Sequence, residues 1–180
     1  AVLLTHLHSD HLGDGIEICE RLDVPAISTF ESINYLKSKG VQGHAMHIGG
    51  THRFDFGRVR MTVAQHGNSA PDGTPGGPAC GFVVEMDGAT VYHPGDTGLT
   101  TDMRLLAELE EIDVALMPIG DNFTMGISDA IKAVELIQPA MAMPIHYNTF
   151  PIIEADPKEF VRRCPLEAFV LKPGETKEIE

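Results

Sequence analysis

Ala1-Val2-Leu3-Leu4-Thr5-His6-Leu7-His8-Ser9-Asp10-His11-Leu12-Gly13-Asp14 opens the chain, and it decides how the rest is read. Val2 to Leu4 is an apolar strand already under way at the first residue, so we expect earlier strands of the same fold ahead of it. His6 and His8 stand two apart at its polar end, which in extended chain turns both imidazoles to one face. Asp10 and His11 follow where the chain bends toward a helix marked by Ile16, Cys19 and Leu22. Neighbouring residues on a strand point apart, so these four nitrogen and oxygen donors suit two borderline divalent ions better than one.

The same arrangement recurs downstream. His66 follows the strand ending Val63-Ala64-Gln65, and His146 follows Met143-Pro144-Ile145. Asp96 lies in Tyr92-His93-Pro94-Gly95-Asp96-Thr97, where Gly95 permits the sharp turn that aims a carboxylate. Only a carboxylate has two oxygens to share between cations, which gives Asp96 the bridging role. His6, His8 and His66 then fill one ion's coordination, and Asp10, His11 and His146 the other's, each leaving a position for water. With a bridging hydroxide the centre keeps a single positive charge, suited to polarising a carbonyl or phosphoryl oxygen. Metal coordination brings the pKa of water from 15.7 toward roughly 7.

Short apolar runs and amphipathic stretches alternate along the remainder. Ala26 to Ser28 is a strand, and Ser28 with Glu31 forms a capping box for a helix through Ile33 and Leu36 that Gly40 ends. Phe54 to Val63 is a hairpin turned at Gly57. Phe82 to Met86 and Ala89 to Tyr92 form another through Asp87-Gly88. Leu105, Leu106 and Leu109 mark a helix, with Glu108, Glu110 and Glu111 as its solvated end. Val114 to Pro118 is a strand, Ser128 caps a helix stopped by Pro139, and Ala140 to Ile145 is a strand. A helix over Pro157 to Arg163 and a closing strand over Ala168 to Leu171 complete the order. Gly67 to Pro78 is punctuated by Gly and Pro and reads as a flap over the pocket or as an ordinary surface loop. His44, His47 and His52 read as solvated loop residues around Gly49-Gly50.

The 180 residues are 43% hydrophobic, enough for a single domain over 1–180 with a sizeable core. No apolar run approaches the roughly 18 residues that span a bilayer. The 13 Lys and Arg against 26 Asp and Glu leave a net charge of −13, which argues against nucleic acid as a partner. Cys19, Cys80 and Cys164 make neither a disulfide framework nor a zinc knuckle, which points to a reducing compartment and the cytoplasm. Assembly as a homo-oligomer stays open.

His6-x-His8-x-Asp10-His11, with His66, Asp96 and His146 in that order, resembles the metallo-β-lactamase superfamily. The strings Thr5 to Asp14, Tyr92 to Gly98, Pro118 to Gly126 and Pro144 to Thr149 resemble its small metal-dependent hydrolases, and the resemblance covers essentially the whole chain. It implies an α/β fold, an αββα sandwich of two mixed sheets flanked by helices, with the first strands missing here. It also implies a dinuclear site, usually zinc and sometimes manganese, iron or nickel. Members include sugar-lactone hydrolases and phospholipid phosphodiesterases, so the substrate class is left open.

The resulting expectation is a metal-dependent hydrolase cleaving a lactone, carboxylic ester or phosphoester bond in a small molecule. Asp10 relays a proton to the leaving group, and Asp96 bridges. For His93, a hydrogen bond to a ligand or substrate competes with a plain strand-edge position. For Tyr147, donation to an oxyanion competes with a structural bond. For Asn122, substrate orientation competes with turn chemistry. The rivals are a non-catalytic metal-binding protein and a di-iron redox enzyme on the same scaffold. Such redox enzymes tend to carry Glu where Asp10 stands and a flavin domain beyond.

Overall fold

Two sheets face each other, with helices on both outer sides. The computed structural model describes residues 1–179. The first sheet holds β1 (Val2–Leu3), β2 (Ala26–Thr29) and β3 (Gly43–Met46) in the order β1-β2-β3, all parallel. Between these strands run α1 (Ser9–Leu12), α2 (Gly15–Leu22) and α3 (Phe30–Ser38). The second sheet holds β4 (Thr51–Phe54), β5 (Gly57–Val63), β6 (Cys80–Met86) and β7 (Ala89–His93), all antiparallel neighbours. From β7 it continues in parallel through β8 (Val114–Pro118), β9 (Met141–Ile145) and β10 (Glu167–Ala168). The intervening helices are α4 (Met103–Leu109), α5 (Ile127–Ile137) and α6 (Pro157–Arg163).

The period of two along each strand builds the layers. On β2, Ala26 joins Cys19, Ile33 and Leu36 beneath the helices, while Ile27 joins Met61 and Phe82 between the sheets. On β6, Phe82 faces the first sheet, and Val83 packs with Met117, Val134 and Phe160 under α5 and α6. Every residue of β2 is buried, as expected of a parallel strand covered on both faces. Asp87 and Gly88 both take positive φ, the backbone of a primed two-residue turn, so that hairpin closes as its sequence requires.

Several local expectations are corrected. Ser28 lies within β2 and donates its hydroxyl to Leu4 O at 2.7 Å, so it does not cap α3, whose preceding residue is Thr29. Gly126 rather than Ser128 precedes α5, and Ser128 Oγ instead accepts from Arg163 at 2.9 Å. His44 is a residue of β3 and His52 of β4, and their rings stand 4.3 Å apart beside Phe54. The closing strand covers only Glu167–Ala168. Glu110 is not solvated: its carboxylate is 4% exposed and holds Arg58 through both guanidinium NH2 groups and Arg60 at 2.6 Å. Arg58 also donates to Glu85 at 2.7 Å, so charges from β5 and β6 are fastened at the end of α4.

Candidate metal centre

The strand that ends at Leu3 delivers its continuation to the seam between the sheets. Leu4 N donates to Ile27 O on β2, and Thr5 O accepts from Cys80 N on β6, so the first sheet holds Leu4 and the second holds its neighbour Thr5. Leu7 is fully buried, and its burial fixes which way His6 and His8 turn. Their rings meet edge to face at 4.6 Å. His11, one turn along α1, brings its ring to 4.1 Å from that of His6. His66, beyond the end of β5, stands 5.1 Å from both His6 and His8. Asp96 follows β7 through Gly95, and His146 follows β9 directly with φ +54, a strained value for a side-chain-bearing residue. All these ligand-type residues therefore gather beyond the carboxyl ends of strands.

Three overlapping groups result, each with its donor atoms within 4.8 Å of one another: His6, His8 and His66; His6, His11 and Asp96; Asp10, His11 and His146. Asp96 sits in the middle. Its Oδ1 is 3.2 Å from His11 Nε2, and its Oδ2 is 3.2 Å from His146 Nε2 and 3.6 Å from His66 Nε2. Asp10 Oδ2 lies 3.6 Å from Nε2 of both His11 and His146.

The electrostatics fit cation binding. Burial, joined by neighbouring His11, pushes the His6 imidazole down to about 3, and burial also lowers His66. Burial alone would raise Asp96, yet the adjoining His11 and His146 outweigh it and hold the carboxyl well below the usual range. His146 is raised by the same contact with Asp96, against its burial. Among the described residues the buried Nε2 of His6 finds no hydrogen-bond partner, and those of His11 and His146 face the Asp96 carboxylate at 3.2 Å without hydrogen-bond geometry. Unpartnered buried nitrogens cost about 1–3 kcal/mol each, and a cation at their convergence removes that cost. The residues present therefore fit a divalent metal.

All seven ligand candidates are brought together. Of the supporting candidates, only His93 stands beside them. Tyr147 packs against the core formed by β8, β9 and the C-terminal helices, and burial raises its phenol. Asn122 is exposed in a tight turn, where its N–H donates to Asp121 Oδ1. His93 faces an apolar groove of about 460 Å³ between the sheets, beside Asp10 and His11, and its Nδ1 accepts from Gly95 N at 3.1 Å.

Other positioning residues emerge only in three dimensions. Thr5 Oγ1 meets His6 Nδ1 at 3.0 Å, leaving Nε2 to face the centre. Asn68 accepts from Leu7 N at 2.9 Å and donates to Gly76 O at 2.8 Å, locking the His-x-His segment to the Gly/Pro loop. Gly76 O also accepts from Thr29 at the end of β2 and from Ser32 in α3. That loop is thus pinned at its base. Walls over the centre come instead from Phe123 and Phe150, which with His8, Asp10, Asp96 and His146 line a cavity of about 330 Å³. An aromatic after the polar turn Asp121-Asn122 was the only sequence signal for the first of them.

Fold and centre together define a metallo-β-lactamase-fold protein. Residues 1–147 match the model of the beta-lactamase superfamily domain. A UPF0173 metal-dependent hydrolase of Natranaerobius thermophilus is 51% identical over 99% of this chain and 80% of its own length. That of Desulforamulus reducens is 45% identical over 97% of this chain and 80% of its own. Among solved structures, the metallo hydrolase Igni18 of Ignicoccus hospitalis superposes with a TM-score of 0.88 at 39% identity, covering 97% of this chain and 76% of that one. The chain belongs to the metallo-β-lactamase superfamily and, within it, to the UPF0173 metal-dependent hydrolases.

Proposed function

We propose that this chain is a hydrolase that holds two divalent ions and cleaves an ester-type bond in a small molecule. The bond class comprises lactones, carboxylic esters and phosphoesters. Zinc is the first candidate metal, with manganese, iron or nickel as alternatives that the same donors accept. The observation that carries the reading is the overlap of three donor groups around one buried carboxylate. A buried carboxylate encircled by imidazoles with unpartnered nitrogens is costly without cations.

His6, His8 and His66 would hold one ion, Asp10, His11 and His146 the other, with Asp96 shared. Bound there, the ions supply Lewis acidity and a water nucleophile of lowered pKa. The chain's own residues do the rest. Thr5 fixes the face that His6 presents, and Gly95 aims Asp96. Asp10 lines the cavity with its side chain 37% exposed, which places it to pass a proton to a leaving group entering from solvent. Phe123 and Phe150 keep bulk water off the reacting centre.

Elemental analysis of the purified protein, paired with a chelator-controlled screen across ester classes, tests the proposal. Two equivalents of metal and chelator-sensitive turnover are expected. Thermal stabilisation by metal without turnover on any ester would replace it with a metal-stabilised binding protein. Among the described residues no helix is long and apolar enough to cross a membrane.

A further inference from the structure

The cavity over the metal centre has a polar floor and an aromatic rim, and hydrogen bonds pin the loops that carry the rim. Phe123 is 52% exposed and Phe150 46% exposed, while their near neighbours Met125 and Ile153 are almost wholly buried. Both phenylalanines ride on loops that the fold fastens tightly. In the first loop, Asp121 and Asn122 take φ +58 and +46, Asp121 N donates to Met125 O, and Met125 N donates to Thr97 O beside Asp96. In the second, Asn148 takes φ +61, its N–H donates to Ile153 O, and its Oδ1 accepts from Ala155 N. The loops also brace each other: a Cβ on Gly120 would stand 2.4 Å from His146 O and 2.9 Å from Ile153 Cβ. Strained, closed backbone behind two half-exposed aromatic rings is the mark of a built wall rather than of stray surface hydrophobics.

Among the described residues no Lys or Arg lines this cavity, although the chain carries 13 of them. In two-metal sites the ions clamp the phosphoryl oxygens, and a Lys or Arg beside them adds charge-assisted hydrogen bonds to the remaining phosphate oxygens, whereas a neutral acyl group needs none. Here everything beyond the metal ligands is apolar. Resting on the hydrolase reading above, we propose that the substrate is a neutral carboxylic ester or lactone with an apolar arm, alkyl or aryl, seated between Phe123 and Phe150. Water adds to the acyl carbon and the acyl–oxygen bond breaks. The leaving oxygen takes up a proton, and the product acid is released as carboxylate with one proton lost to solvent.

The experiment compares unsubstituted, butyl- and octyl-substituted γ-lactones with bis(p-nitrophenyl) phosphate on metal-loaded protein. It also measures, by calorimetry, binding of the matching uncleaved γ-lactams. kcat/KM should rise about tenfold from the unsubstituted to the butyl lactone, as partial burial of a few methylenes predicts. The phosphodiester should be cleaved more slowly than either. F123A and F150A should each erase most of that chain-length preference and weaken octyl-lactam binding at least several-fold, with metal content unchanged. F123L and F150L should restore part of both. A flat chain-length series, or preference for the phosphodiester, overturns the proposal while leaving the hydrolase reading intact. Lactam binding that depends on both phenylalanines, without cleavage of any lactone, overturns the hydrolase reading and keeps the apolar-arm ligand. Lactam binding indifferent to both substitutions overturns the proposal outright.

Discussion

Asp96 is 4% exposed and has three imidazoles within 3.6 Å, so a single side chain joins both halves of the centre. Asp96→Ala should lower the content of both metals and weaken metal affinity about a hundredfold or more, read by elemental analysis after dialysis. Metal loading that survives unchanged would refute its shared role. Asn68 acts at one remove, since its amide holds Leu7 between the two histidines. Asn68→Ala should cost about 2 kcal/mol in thermal unfolding, because the N–H of Leu7 loses its partner and the carbonyls of Gly76 and Pro78 each lose a donor. It should also weaken metal binding about tenfold. The proposed metal ligands could be picked out residue by residue, and the fold gathers them, because ligand chemistry is carried by side-chain type and spacing. Asn68, Phe123 and Phe150 were not, because nothing in an Asn or a Phe declares a partner dozens of residues away.

Two glycines show how elements differ in what their turns must deliver. Gly88, at φ +84 in the β6–β7 turn, has nothing within 4 Å of where a Cβ would stand. Gly88→Ala should therefore cost about 1 kcal/mol, the conformational term alone, with metal content untouched. Gly95, at φ +67, would place a Cβ 2.6 Å from Cys80 O and 2.9 Å from Thr5 Cβ. Gly95→Ala should cost about 3 kcal/mol, with the strained backbone and the clash together, and should also release metal by displacing Asp96. Chemical denaturation and elemental analysis on the two variants check the contrast. Strands β5 to β9 were readable from their period and their turn residues. β3 was not: Gly43-His44-Ala45-Met46 carries little strand propensity and is extended because it pairs with β2. The capping roles expected of Ser28 and Ser128 failed for a related reason, since each hydroxyl had a better tertiary partner.

At the scale of the molecule, charge and metal decide stability. Arg58 and Arg60 hold the Glu110 carboxyl below its usual range, although its desolvation opposes this. The stability it contributes is present above the ordinary glutamate pKa and is lost as pH falls through the depressed folded value. Glu110→Gln should cost about 2 kcal/mol at neutral pH and progressively less in acid, measured by denaturation across pH. The metal-free protein should weaken over a higher window. The folded chain refuses a proton at His6 until about pH 3, whereas the unfolded chain takes it near 6.5. Stability is therefore lost as pH falls from 6.5 toward 3, partly offset by His146, whose raised affinity for protons works the other way. Removing metal with a chelator at neutral pH should lower the melting temperature, and restoring zinc should reverse the change.

By itself the sequence determined the candidate donors, the strand and helix periods and the four-layer class, because each rests on local chemistry or on a repeat of two or 3.6 residues. Only the tertiary structure decided which residues brace the donors, which rings wall the cavity and which acid is buried. Those roles arise where segments distant in the chain meet, and burial there is set by what packs on top, which no local pattern records.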